Sequence, residues 1–131
     1  MTLLKATDSE SGLYSYLDLV DLIKTYSNNP TLDLEELFKR MVFNCIIHNG
    51  DDHLRNHGFI FKEKGYRLSP LFDINPDAFS TGLSLSLDGY NHAFSLMRCA
   101  EISMFFGLNK EKAEKIIKEI NKIFPQIIQQ V

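Results

Sequence analysis

The sequence predicts a mainly helical single domain carrying one short β-hairpin. Three observations predict it. Apolar residues recur at helical spacing in several separate windows. Two short aromatic-rich runs flank a glycine-containing turn near the middle of the chain. The chain has 131 residues, 44% of them hydrophobic, enough for one ordinary domain with a core of its own.

The elements follow in order. Residues 1–11 are polar and read as a flexible N-terminal segment, with the domain proper spanning 12–131. From Gly12 to Tyr26, Leu13, Tyr16, Leu17, Val20 and Ile23 recur at helical spacing, and Asn28-Asn29-Pro30 is expected to end that helix. A second helix follows, with Thr31 or Asp33 as expected caps and Glu35-Glu36 in its first turn. Its apolar stripe is Leu34, Leu37, Phe38, Met41, Val42, Cys45 and Ile46, and it runs directly into the turn dipeptide Asn49-Gly50. Gly58-Phe59-Ile60-Phe61 and Tyr66-Arg67-Leu68-Ser69 read as strands around Lys62–Gly65, with Pro70 stopping the second. Leu83 to Tyr90 alternates loosely and reads as a strand or an extended loop. A third helix is expected from Ala93 to Phe106, with Phe94, Met97, Ile102, Phe105 and Phe106 inward and Gly107 as C-cap. Asn109 should cap a last helix that uses Ala113, Ile116, Ile117, Ile120, Ile123 and Phe124, and that Pro125 ends or kinks.

Composition excludes several function classes. A net charge of -3 gives no general attraction to nucleic acid phosphates. No apolar run approaches the ~20 residues that span a bilayer. The first residues are too quickly polar for a signal peptide. Cys45 and Cys99 fall inside apolar helical patterns and read as reduced, buried thiols of a cytoplasmic protein. His48, His53 and His57 are close in sequence, but no thiolate lies at zinc-site spacing and H-E-x-x-H is absent, which argues against zinc.

Chemistry concentrates in Asn49-Gly50-Asp51-Asp52-His53-Leu54-Arg55-Asn56 and, beyond the hairpin, in Leu71-Phe72-Asp73. A hairpin returns the chain near its start, so Asp73 is expected to face Asn56. Mg²⁺ takes hard oxygen ligands, usually one or two carboxylates plus phosphate oxygens, and Asn56 with Asp73 suits that task. Asp51 is then left to accept or align the proton of a hydroxyl nucleophile. His53 reads as a supporting residue that orients the loop, Arg55 as a partner for phosphate or an acid, and Asp52 as a cap of the following turn, a bond to a structural partner, or a second acid in the catalysis. His48 and His57 read as structural residues, and His92 as a turn or helix-start residue. Turn-forming loops are rich in Asn, Asp and Gly for conformational reasons alone. The acid, the asparagine five residues on, the hairpin and the apolar-flanked second acid together go beyond that.

Asn49 to His57, with Tyr66-Arg67-Leu68-Ser69-Pro70-Leu71-Phe72-Asp73-Ile74, resembles the C-terminal lobe of the HipA-type serine/threonine kinases, toxin kinases of bacterial toxin–antitoxin systems. The resemblance runs from about Leu13 onward. It implies a helical lobe of protein-kinase-like plan, with Asp51 as the catalytic aspartate of the N-x-D-x-H-x-x-N pattern and His53 as its supporting histidine. Asn56 and Asp73 would be the ligands of Mg²⁺ and, through it, of ATP. It further implies a protein substrate of the aminoacyl-tRNA synthetase type and restraint by a HipB-like DNA-binding antitoxin. The chain departs from the family pattern in one respect: it has no G-x-G-x-x-G, no V-A-I-K and no G-x-x-x-x-G-K-[ST]. The expectation is therefore a partial kinase, inactive alone, that pairs with a missing N-terminal lobe or a separate subunit. Two other readings are a non-catalytic partner-binding fragment or antitoxin-system subunit, and a metal-dependent phosphohydrolase using Asp51, Asp52 and Asp73. In the partner-binding reading Phe59, Phe61, Tyr66, Phe79 and Tyr90 would line an exposed apolar face.

Overall fold

The first helix, α1 (Tyr16–Tyr26), starts where Ser15 supplies a reciprocal cap. The Ser15 hydroxyl accepts from the Asp18 N–H, and the Asp18 carboxylate accepts from the Ser15 N–H at 2.8 Å. This computed structural model describes residues 15–47, 59–62, 65–68, 86–88 and 93–129, with backbone alone at 59–62 and 124–129. The helix begins at Tyr16 rather than at Gly12 because the cap is what turns the chain into it. Ser15 also bridges Ser86 in parallel, and the Tyr16 N–H donates to the Ser86 carbonyl at 2.9 Å.

Asn28-Asn29-Pro30 works differently from the expectation. α1 is closed by Ser27, whose N–H bonds the Ile23 carbonyl, and Asn29-Pro30 opens the next helix, α2 (Pro30–Ile46). The Asn29 side chain accepts from the Leu32 N–H, and Pro30 sits where its missing N–H costs nothing. Neither Thr31 nor Asp33 is the cap. The apolar stripe of α2 is buried as expected, from Leu34 to Ile46, but Asp33, Arg40 and Asn44 are buried with it.

The hairpin pairs β1 (Phe59–Lys62) with β2 (Gly65–Leu68) in antiparallel register, Phe59 opposite Leu68 and Lys62 opposite Gly65. Both strands lie one residue nearer the turn than the sequence reading put them. Gly65 has a steric reason: a Cβ there would lie 2.7 Å from the Asn28 side chain.

The expected Ala93–Phe106 helix is broken into α3 (Leu96–Glu101), capped by the Ser95 hydroxyl, and a 3₁₀ turn at Ser103–Phe106. Met97 and Phe105 therefore face out, at 76% and 47% exposure, against the inward expectation. Met97 lies two residues, about 200° of helix, from the fully buried Cys99. The tighter 3₁₀ winding turns Phe106 inward and Phe105 outward. Gly107 closes the turn in the left-handed conformation, φ 74°, as expected.

Asn109 accepts from the Lys112 N–H at 2.7 Å and caps α4 (Lys110–Gln129). The helix runs past Pro125, which does not end it. The core lies against the first turns of α4: Ala113 and Ile116 are buried, Ile117 and Ile120 partly so, and Ile123 is half-exposed.

One apolar cluster unites these pieces, centred on α2 and reached by α1, α3, the 3₁₀ turn and α4. Phe38 meets Phe106 edge-on with ring centroids 5.3 Å apart. Cys45 and Cys99 are free thiols, both buried, and lie 3.7 Å apart between α2 and α3. The hydrogen bond with the Cys45 sulfur, and then burial, push the Cys99 thiol far above its ordinary pKa, so it stays protonated. The described part is thus a mainly α domain with a two-stranded hairpin.

Candidate functional site

The residues singled out by sequence, Asp51, His53, Asn56 and Asp73, lie outside the described residues, as do His48, Asp52, Arg55, His57 and His92. The structure does describe the elements that lead the chain into and out of those segments. α2 delivers it at Ile47, where the Ile47 N–H bonds the Phe43 carbonyl, and Ile46 and Ile47 are both buried. One turn earlier Asn44, fully buried, donates to the Tyr16 hydroxyl at 3.1 Å and ties the end of α2 to the start of α1. The segment carrying Asp51 and Asn56 thus departs from a helix end packed on both sides.

The hairpin takes the chain up again at Phe59 and releases it at Leu68, and these two residues are paired. Its entry and exit are therefore at the same end. Asn56 stands three residues before Phe59 and Asp73 five after Leu68.

A two-stranded hairpin has little stability of its own, and a polar clamp holds this one. The Asn28 N–H donates to the Tyr66 carbonyl, and Ser27 bridges Tyr66. Asp33, one turn into α2, is 3% exposed. Its carboxylate accepts from Arg67 Nη2 at 3.0 Å, from Arg67 Nε at 3.2 Å, from the Ser27 hydroxyl at 2.5 Å and from the Leu68 N–H at 2.9 Å. The Ser27 oxygen in turn accepts from the Asn29 N–H. Burial works to raise the Asp33 pKa, but the bonds from Arg67, Ser27 and Leu68 outweigh it and hold the carboxyl below its ordinary value of 3.8.

Sequence reading missed this clamp. Asp33, Leu37, Arg40 and Asn44 follow one another at spacings of four, three and four, on the helical face that also buries Phe38 and Met41. Three polar residues on a core-facing stripe were the available signal. Arg40 is the second such residue, its side chain 2% exposed and its Nε 3.3 Å from Glu36.

Among the described residues no cluster of three or more His, Cys, Asp or Glu could hold a metal ion. No described helix is long and apolar enough to cross a membrane. Hollows among the described residues include one of about 420 Å³ between Met97, Met104 and Leu108, and a charged trough of about 520 Å³ along Glu111, Lys115 and Lys122. Of the aromatic residues expected to line an exposed face, Tyr66 is partly buried against the core. Phe79, Tyr90 and the side chains of Phe59 and Phe61 lie outside the described residues.

The helical lobe with a hairpin between the two motif segments is the arrangement the resemblance implies. Comparison with known families decides the matter: the HipA-like C-terminal domain matches residues 1–128. The chain belongs to the HipA-like C-terminal domain family. Two relatives are similar to it. A protein of Haemophilus influenzae named "Putative kinase" is 28% identical over 134 aligned positions, covering 88% of this chain. "Putative kinase Y4mE" of Sinorhizobium fredii is 29% identical over 66 residues, half of this chain. The chain spans 38% of the length of the first and 16% of the second.

Proposed function

We propose that this HipA-like domain is the catalytic lobe of an ATP- and Mg²⁺-dependent kinase that phosphorylates a serine or threonine hydroxyl on a protein. The observation that carries the reading is a set of oxygen donors, Asp51, Asn56 and Asp73, on two segments that leave one end of one hairpin. Membership in the HipA-like family and the printed kinase names of both relatives support it.

The donor chemistry fits Mg²⁺: a carboxylate and a carboxamide are hard oxygen ligands that leave room for phosphate oxygens. Asn56 and Asp73 would hold the ion, which when bound draws the phosphate oxygens together and offsets their charge. Asp51 would accept or orient the proton of the attacking hydroxyl, and His53 would support the loop around it. The work asked of the protein is positioning, and a buried helix end with a clamped hairpin suits that demand. A second lobe or a separate subunit would enclose the nucleotide. A substrate of the aminoacyl-tRNA synthetase type, a HipB-like antitoxin and a cytoplasmic setting complete the proposal.

The test is transfer of label from γ-labelled ATP to protein by the full-length protein with Mg²⁺, beside its Asp51→Asn variant. Turnover should fall ~10²–10⁴-fold in the variant, the usual loss for a positioned general base, with ATP affinity little changed. Equal turnover at matched folding would overturn the assignment of Asp51. No Mg²⁺-dependent transfer by the unaltered protein supplied with the lobe or subunit that encloses the nucleotide, in the presence or absence of a synthetase substrate, would overturn the kinase reading itself.

A further inference from the structure

We propose that Asp33 is a positioning residue for the candidate site, fixing through Leu68 and Arg67 the point where β2 releases the chain toward Asp73. The inference rests on the kinase reading above.

The argument begins with what Asp33 binds. If its task were only to join a helix to a hairpin, one ion pair or an apolar contact would serve, and apolar contacts avoid the desolvation penalty of a buried carboxylate. Asp33 instead accepts from two side chains and from the main chain. Oδ1 takes Arg67 Nη2 at 3.0 Å, Arg67 Nε lies 3.2 Å from both oxygens, and Oδ2 takes the Leu68 N–H at 2.9 Å and the Ser27 hydroxyl at 2.5 Å. Bonding to a backbone N–H fixes the peptide itself, which a side-chain contact does not. Leu68 is the last residue of β2, with its side chain buried.

The place of the contact matters as much as its chemistry. The hairpin tip is held at Asn28, which packs on Gly65 and bonds Tyr66. Its open end is held at Asp33, by Arg67 and Leu68. Two contact points along β2, one on the α1–α2 connection and one on α2, oppose pivoting of the hairpin. The same helix ends at Ile46 and delivers the segment with Asp51 and Asn56. One rigid helix therefore sets both the departure of the first motif segment and the release point of the second. Metal ligands must keep their places closely, so loss of this reference should be felt first in the demand for Mg²⁺.

The experiment compares the full-length protein with its Asp33→Asn and Arg67→Lys variants. Asparagine keeps the shape but loses the charge, and lysine keeps the charge but loses the fork. Hydrogen exchange is followed at the Leu68 amide and the peptide after it, with the Phe38–Met41 stretch of α2 as reference. The Mg²⁺ concentration for half-maximal phosphotransfer is measured at saturating ATP. Asp33→Asn should speed exchange at Leu68 about tenfold or more, the loss expected for a bond to a charged acceptor, and leave the α2 stretch unchanged. The half-maximal Mg²⁺ concentration should rise several-fold with a smaller change in turnover at saturating Mg²⁺. Arg67→Lys should move both in the same direction by less, and carries the test if Asp33→Asn does not fold. Faster exchange at Leu68 with an unaltered Mg²⁺ requirement would overturn the proposal and leave Asp33 a structural residue. Equal acceleration across α2 would overturn it as general destabilisation. Absence of transfer by the unaltered protein would instead overturn the kinase reading, and this proposal with it.

Discussion

At its first turn α2 is fastened to the hairpin by a buried carboxylate that accepts from four donor groups, whereas along its last three turns, the buried Arg40 and its Glu36 partner apart, it is held mainly by shape. Phe38, Met41 and Val42 there are fully buried, Cys45 nearly so, and Asn44 adds a neutral hydrogen bond to Tyr16. Apolar packing resists loss of volume poorly and changes of pH well. A charged clamp is directional, and it fails when its charge is removed. The two ends of one helix should therefore break under different insults, and the difference suits their tasks. The packed end gives a stable departure for the first motif segment. The clamped end gives the hairpin a fixed orientation that packing alone would leave free.

The largest effect should come from the packed side. Phe38→Ala removes a fully buried ring that meets Phe106, and should cost about 3–5 kcal/mol of stability. Urea unfolding at pH 7 and at pH 4 should give nearly the same loss. A loss that depends strongly on pH would mean that the two ends of α2 are not independent.

Asp33→Ala should come next, at about 3 kcal/mol at pH 7. That is the lower end of the range for breaking a buried pair, because Arg67 is a quarter exposed and can turn to water. Here pH should matter. The folded carboxyl titrates below its ordinary 3.8, so its contribution is complete above that value and is lost as pH falls through the lower folded value. The difference between native protein and variant should shrink below about pH 4 and approach a constant above it. A difference that grows with acid would reverse the sign and refute the clamp.

The contrast also explains what the sequence revealed. The stripe from Leu34 to Ile46 is a local periodic signal, and it was read correctly. So were the hairpin, from its aromatic runs and Gly65, and the caps at Gly107 and Asn109. The clamp was not, because an aspartate where a helix starts reads as a cap. Its true partner, Arg67, is 34 residues away, and the pairing leaves no local trace. The same holds for Cys45 beside Cys99, 54 residues apart. The break near Ile102 has no glycine or proline to announce it; tertiary packing of Cys99, Ile102 and Phe106 decides it. The motif from Asn49 to Asp73 is a pattern of residue type and spacing, and its site residues lie outside the described residues.

A smaller effect should follow from Tyr16→Phe. The change deletes the hydroxyl that accepts from Asn44 at the packed end, where both residues are fully buried. An amide left short of an acceptor in the core should cost about 1–2 kcal/mol. The loss should be the same at pH 4 and pH 7, since the bond joins an amide and a hydroxyl, both neutral. A pH-dependent loss would bring charge into the end of α2 that the comparison treats as neutral.

The smallest effect belongs to a pair that looks strong by distance. Lys112 Nζ lies 2.6 Å from Glu35 and joins α4 to the first half of α2, while Lys39 lies 3.5 Å from the same carboxylate. The hydrogen bond from Lys112 lowers the Glu35 pKa despite a small opposing effect of burial. However, the Lys112 side chain is 55% exposed and Glu35 23%, so water and salt screen the attraction. Holding two long side chains in one geometry also costs conformational entropy. Glu35→Gln should therefore cost only about 0.2–1 kcal/mol, and a double-mutant cycle with Lys112→Met should return a coupling of that size. Raising the salt to about 1 M, where the screening length falls to about 3 Å, should remove most of it. The Asp33–Arg67 coupling, measured in the same way, should survive that salt largely intact, because Asp33 is shielded from solvent. If both couplings vanished together, the first turn of α2 would be held by surface charge, and its distinction from Glu35, half a turn further on, would collapse.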